Sequence, residues 1–97
     1  MIRHIVLLRL ESTCTAADLQ GIVDALRALP EQIPAIRSFQ AGSDAGLSEG
    51  NVQLCAVADF DDVAGYESYR DHPAHKQVIA DHIKPVLVER TAIQVEL

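Results

Sequence analysis

The chain has 97 residues, of which 48% are apolar and only 4% aromatic, and it carries a formal net charge of −6. That length suits one domain, residues 1–97, with an aliphatic core built from Ile, Val, Leu and Ala. The acidic balance and the lack of a Lys/Arg cluster argue against nucleic acid and against an anionic membrane surface as partners.

The N-terminal apolar run, Ile5 to Leu8, is too short for a signal-peptide core or a membrane span. Cys14 and Cys55 lie far apart and form no Cys-x-x-Cys unit, which fits free thiols in a reducing cytoplasm.

Ile2 to Leu10 reads as the first strand. Ile2, His4, Val6, Leu8 and Leu10 share one face, and Arg3, Ile5, Leu7 and Arg9 the other. Both faces are apolar at their centre, so both centres are expected to be buried. Thr15, three residues before Asp18, resembles a capping box with Asp in the usual Glu position. Leu19, Ile22, Val23, Leu26 and Leu29 then recur at helical spacing, and Pro30 and Pro34 close that helix.

Ile36 to Gly42 reads as a second strand. Gly42 to Gly50 is a glycine-rich loop. Val52 to Phe60 reads as a third strand with Val52, Leu54, Ala56, Ala58 and Phe60 on one face. Asp61 or Asp62 caps the next helix, which holds Gly65, Tyr66 and Tyr69. His72-Pro73 breaks it, and Pro73 suits the first position of a further helical stretch running through Val78, Ile79, His82, Ile83 and Val86. Pro85 kinks or ends that stretch. Thr91 to Leu97 alternates as the last strand.

The order β-α-β-β-α-β predicts an α+β, ferredoxin-like fold: one four-stranded antiparallel sheet with all helices on one face. The other face keeps apolar residues with nothing from the same chain to cover them. A second copy laid against it gives a dimeric α+β barrel, so the expected partner is the chain itself, as a homodimer.

Three stretches resemble the stress-responsive A/B barrel (Dabb) family. They are Arg3-His4-Ile5-Val6-Leu7, then Ala28-Leu29-Pro30 with Ile33-Pro34-Ala35-Ile36, and Tyr69-Arg70-Asp71-His72-Pro73-Ala74-His75; Lys84-Pro85 also fits. The resemblance spans nearly the whole chain and implies a homodimeric barrel without implying one activity. One plant branch of the family cyclises linear polyketides by aldol-type closure with histidine and tyrosine and no cofactor. The matching positions here are His75, Tyr69 and His4.

Histidine is the side chain best placed for proton transfer near neutral pH. His75, in the opening turn of a helix, is the candidate base, kept neutral by nearby backbone N–H groups. Tyr69 is the candidate donor to a developing enolate oxygen, and His4 orients substrate or assists the relay. Each has a structural alternative: a buried His4 bonded to backbone, a helix-stabilising His75, a Tyr69 that only packs. An apolar cavity lined by Ile22, Val23 and Leu26, with His72 nearby, is expected to bind a small hydrophobic or polyketide-like ligand, although His72 also suits a helix cap.

His75 and His82 are about 10 Å apart along a helix, too far to share one ion. No metal or other cofactor is expected. Three functions remain open: acid–base chemistry beside a carbonyl, non-catalytic ligand binding or stress protection, and a cofactor-free monooxygenase.

Overall fold

The computed structural model describes residues 1–97. Four strands form one antiparallel sheet in the order β2-β3-β1-β4: β1 Ile2–Leu10, β2 Ser38–Ser43, β3 Leu54–Phe60 and β4 Leu87–Glu96. Between them lie α1 Ala16–Arg27, the short α2 Leu29–Gln32, α3 Val63–Asp71 and α4 Pro73–Val78. A π-helical turn, Ile79–Ile83, and a 3₁₀ turn, Lys84–Val86, connect α4 to β4. This is the α+β, ferredoxin-like arrangement that the alternation of patterns predicts.

Local chemistry sets the helix ends. The Thr15 hydroxyl accepts from the Asp18 N–H at 3.1 Å and the Asp18 carboxylate accepts from the Thr15 N–H at 3.0 Å. Asp therefore closes a complete capping box in place of Glu. Asp62 caps α3 by accepting from the Gly65 N–H at 2.8 Å. A Cβ at Gly65 would sit 3.4 Å from Phe60 Cβ, so glycine lets α3 approach β3 closely. Helix one stops at Arg27, and Pro30 opens the short α2 instead of ending α1.

The longest helical stretch behaves differently from a kinked α-helix. Pro85 has no N–H to return to the carbonyl of Asp81. The chain responds by widening: the Lys84 N–H bonds back to the Ile79 carbonyl, and a tight turn follows. β4 then starts at Leu87, earlier than the expected Thr91. The glycine-rich loop is built rather than featureless. Gly46 and Gly50 take positive φ (76° and 81°), and Asp44 accepts from the Gly46 N–H and from Asn51.

Register fixes which residues share a face. Leu8 pairs with Leu54 on one side and Arg90 on the other, Val6 with Ala56 and Ala92, and His4 with Ala58 and Gln94. This face carries the helices. Its mainly aliphatic core includes Leu8, Ile22, Val23, Leu26, Leu29, Ile33 and Leu54, with the aromatic Phe60, all buried. The opposite face presents Ile5 flanked by Val57 and Ile93, with Leu7 between Cys55 and Thr91. Ile5 is half-buried, whereas Leu7 and Ile93 are exposed. At one end of this face Arg3 grips Asp59 through two hydrogen bonds of 2.8 and 3.0 Å. That pairing holds the Asp59 carboxyl below the usual range. No helix is long and apolar enough to cross a membrane.

Candidate active site

A cavity of about 90 Å³ lies between the sheet and the α3–α4 side of the helical layer. Its floor is His4, Val6 and Leu8 of β1 with Ala56 of β3. Leu26 of α1 closes one side, and Ile79 and Ile83 of the π turn form the roof. Tyr69, His75, Leu87 and Arg90 complete the wall. The lining is mainly apolar, with a few polar groups converging on it, which is the usual composition of a small-molecule site.

His4 is 4% exposed, on a strand face otherwise given to aliphatic residues. The Gln94 side-chain amide donates to His4 Nδ1 at 2.9 Å. Because that nitrogen accepts, the neutral ring carries its proton on Nε2. Burial, assisted by the charge of Arg90 and by His75, lowers the His4 pKa from 6.5 to about 4. His4 is thus neutral at physiological pH and offers an N–H.

His75 is the mirror case. Its Nδ1 lies 3.2 Å from the Arg70 carbonyl, which can only accept, so Nδ1 carries the proton and Nε2 is left with a lone pair. Its pKa is also lowered, first by burial and further by the Arg90 charge, against the raising effect of the Arg70 carbonyl. The expected neutrality is therefore present, but the cause is burial rather than the N–H groups of the helix start.

Tyr69 is 2% exposed and stacks on the His75 ring with centroids 4.1 Å apart and an interplanar angle of 29°. The Tyr69 ring centroid is 6.0 Å from that of His4 and 5.2 Å from that of Phe60. Burial pushes its phenol up to about 12, so it remains a neutral donor. The arrangement can accept a proton at His75 and donate hydrogen bonds from Tyr69 and His4 into a low-dielectric space.

The structure brings His4, Tyr69, His75 and Leu26 to one cavity. It corrects the other expected lining residues. Ile22 and Val23 sit in the aliphatic core and do not reach the cavity wall. Leu26 lies one turn further along the same buried stripe of α1 and is the residue of that stripe that reaches the cavity. His72 is the N-cap of α4: its Nδ1 accepts from the Ala74 N–H at 3.0 Å, with Pro73 behind it. It is a structural cap and does not line the cavity. His82 is exposed, outside the site.

Two residues of the site escape the sequence reading, Arg90 and Gln94. With β4 expected to begin at Thr91, Arg90 fell outside any strand. Gln94 was read only as part of the alternation of the last strand. Their shared signal is the pairing of β4 with β1, which sets them across from Leu8 and His4. No three His, Cys, Asp or Glu side chains converge closely enough to ligate a metal ion.

Residues 2–97 match the family described as the Stress responsive A/B Barrel Domain. The chain belongs to this family. Among curated proteins none matches it. A dimeric ferredoxin-like protein of unknown function from Thermobifida fusca is 40% identical, with a TM-score of 0.90 over 99% of this chain and 90% of its own. A Dabb family protein from Mesorhizobium loti is 20% identical at TM-score 0.81, covering 99% of this chain and 95% of that one. The hydroxynitrile lyase of Passiflora edulis is 18% identical at TM-score 0.81, over 97% and 90%. At that identity the lyase shares the fold, not a demonstrated chemistry.

Proposed function

We propose that this A/B barrel protein is a homodimeric, single-domain, cofactor-independent acid–base catalyst that moves a proton beside a carbonyl of a small substrate. The observation that carries the reading is the pair of neutral imidazoles fixed in opposite tautomers at one apolar cavity. One has a free acceptor nitrogen (His75) and the other a free N–H (His4).

In this reading His75 Nε2 removes a proton from the carbon next to the carbonyl. The C–H electron pair becomes the carbon–carbon π bond of an enolate, and the carbonyl π pair moves onto oxygen. The Tyr69 hydroxyl and the His4 Nε2–H hydrogen-bond that oxygen. The proton on His75 then returns to carbon or oxygen, which gives exchange or tautomerisation. Alternatively the enolate carbon attacks a second carbonyl of the same molecule, and the alkoxide formed there takes the proton from His75, which is aldol closure.

Size narrows the substrate. One water needs about 10–15 Å³ of cavity space, so a cavity of about 90 Å³ has room for a short carbonyl fragment. The dimer is supported by the apolar row Val57-Ile5-Ile93 on the open face and by the dimeric Thermobifida fusca relative. The two free thiols suit a reducing, cytoplasmic setting.

The test is solvent-deuterium exchange at the carbon beside the carbonyl, followed by NMR over a panel of short ketones and oxo-acids. The native protein is expected to accelerate exchange. His75→Ala is expected to lose about 10²–10⁴ of the rate, and Tyr69→Phe about 10²–10³. Saturable binding without exchange would instead make this a ligand-binding dimer, and oxygen consumption with quinol-like compounds would make it a monooxygenase.

A further inference from the structure

The cavity has one permanent charge, at its solvent-exposed edge. Arg90 lies on the helix-covered side of β4, across from Leu8, and lines the same space as His4, Tyr69 and His75. It takes part in no hydrogen bond or ion pair of the chain. The other arginines are engaged: Arg3 with Asp59, Arg37 with Asp61, Arg70 with Asp71, Arg27 with the Ala41 carbonyl and Arg9 with the Gly50 carbonyl. Acidic residues outnumber basic ones 14 to 8 in the sequence, yet none lines this cavity. Arg90 nevertheless lies close enough to act electrically on all three candidate catalytic groups.

We infer that Arg90 is the substrate-recognition residue of this cavity and that it takes a carboxylate, so that the carbonyl compound turned over is a short-chain oxo-acid anion. The proposal rests on the acid–base reading above and supplies its substrate class. A guanidinium offers parallel N–H donors in the spacing of two carboxylate oxygens. With the carboxylate clamped at the mouth, the oxo group and its neighbouring carbon extend inward over the apolar floor, towards Tyr69 and His75. The cavity volume accommodates such a molecule. A phosphate dianion is a poorer fit, because a single guanidinium leaves half its charge uncompensated against an aliphatic wall.

The competing, purely structural role is that the Arg90 stem covers apolar surface while its head stays in water. That role gives no preference for anions.

Two measurements separate the possibilities. In the first, propionate and propionamide, which cannot react, are titrated into the intact protein while the ring signals of His75 and Tyr69 are followed by NMR, with inorganic phosphate as a third arm. Propionate is expected to bind ~10–100-fold more tightly than the amide, the range for a hydrogen-bonded charged group, and more tightly than phosphate. Arg90→Gln should erase that preference and Arg90→Lys should restore part of it. Equal binding of acid and amide, stronger binding of phosphate, no binding of any of them, or an undiminished acid preference in Arg90→Gln would each overturn the proposal. The native-protein comparison stands even if a variant folds poorly.

In the second, deuterium exchange at the methylene of 2-oxobutyrate is compared with that of 2-oxobutyramide. Faster exchange of the acid in the native protein, lost in Arg90→Gln, is the expected result. Equal exchange of both overturns carboxylate recognition while leaving proton transfer standing. Selective propionate binding without exchange of either compound overturns the acid–base reading, and with it the oxo-acid substrate assigned here.

Discussion

The two strands that flank the cavity, β1 and β4, divide polar and apolar residues between their faces in opposite senses. Beneath the helices β1 places Ile2, Val6, Leu8 and Leu10, all buried, with His4 as the only polar residue. On the same face of the sheet the edge strand β4 places Arg90, Ala92 and Gln94, of which Arg90 and Gln94 are exposed, while Thr91, Ile93 and Val95 turn to the open face. A strand of a self-sufficient monomer would direct its branched apolar residues inward and its polar ones to water. β4 departs from that rule. Inward, Arg90 and Gln94 border the cavity and His4, with Ala92 between them. Outward, Ile93 and Val95 stand beside Thr91 on a face that nothing from the same chain covers. One strand thereby borders both the cavity and the face proposed for the subunit contact.

The largest expected effect comes from breaking the outward side. Ile93→Asp puts a charge in the middle of the open face, where a buried, uncompensated charge costs about 3–5 kcal/mol. Sedimentation equilibrium should show the dimer weakened by at least ~100-fold, with a Tm that becomes lower at all concentrations. A variant that remains fully dimeric would remove this face from the interface.

The inward side is tested next, through pH. His4 is held neutral in the fold but protonates freely when unfolded, so between pH 6.5 and about 4 the unfolded chain binds the extra proton. Stability is therefore complete above pH 6.5 and falls as the pH drops towards 4. The loss from this residue is on the order of 2 kcal/mol, reduced from the full shift because the ring edge borders the cavity. Urea unfolding of the native protein and of His4→Phe across that window should show the slope in the first and a shallower one in the second. Equal slopes would mean that the His4 environment is not what the register implies.

The smallest effect belongs to Gln94→Leu, which keeps volume and removes the amide that fixes the His4 ring. A net hydrogen bond is worth about 1 kcal/mol, so unfolding should shift by that much or less. The deuterium-exchange rate should fall further than stability does, since the donor nitrogen is no longer aimed at the cavity. Unchanged exchange would show that the tautomer of His4 is irrelevant to turnover.

Much of the fold was legible because the alternating and helical periods are strong in this aliphatic sequence. The Thr15–Asp18 box, the Asp62 cap, the break at His72-Pro73 and the apolar open face all follow from local residue chemistry. His4, Tyr69 and His75 were legible as candidates through their residue types and through the family resemblance. Where along helix one the cavity lies was not legible. Ile22, Val23 and Leu26 share a stripe in sequence, and only the packed layer shows that Leu26 alone reaches the cavity. Arg90 was hidden for a different reason. The chain between Pro85 and Thr91 has no clean alternation, so the start of β4 is set by pairing with Arg9 and Leu10, a non-local term that no short window contains.

The π-helical turn has a consequence for how this cavity diversifies. Within it Ile79 and Ile83, four residues apart, both line the cavity while His82 is exposed to solvent. A π turn holds one residue more than the α-helical turn it replaces, because each N–H reaches back five residues instead of four. A one-residue deletion between Ile79 and Ile83 is therefore expected to restore ordinary α-helical bonding and to bring a different side chain beside Ile83, with the elements on either side kept in phase. The ceiling of the pocket is in this way set by the length of one turn as well as by its composition.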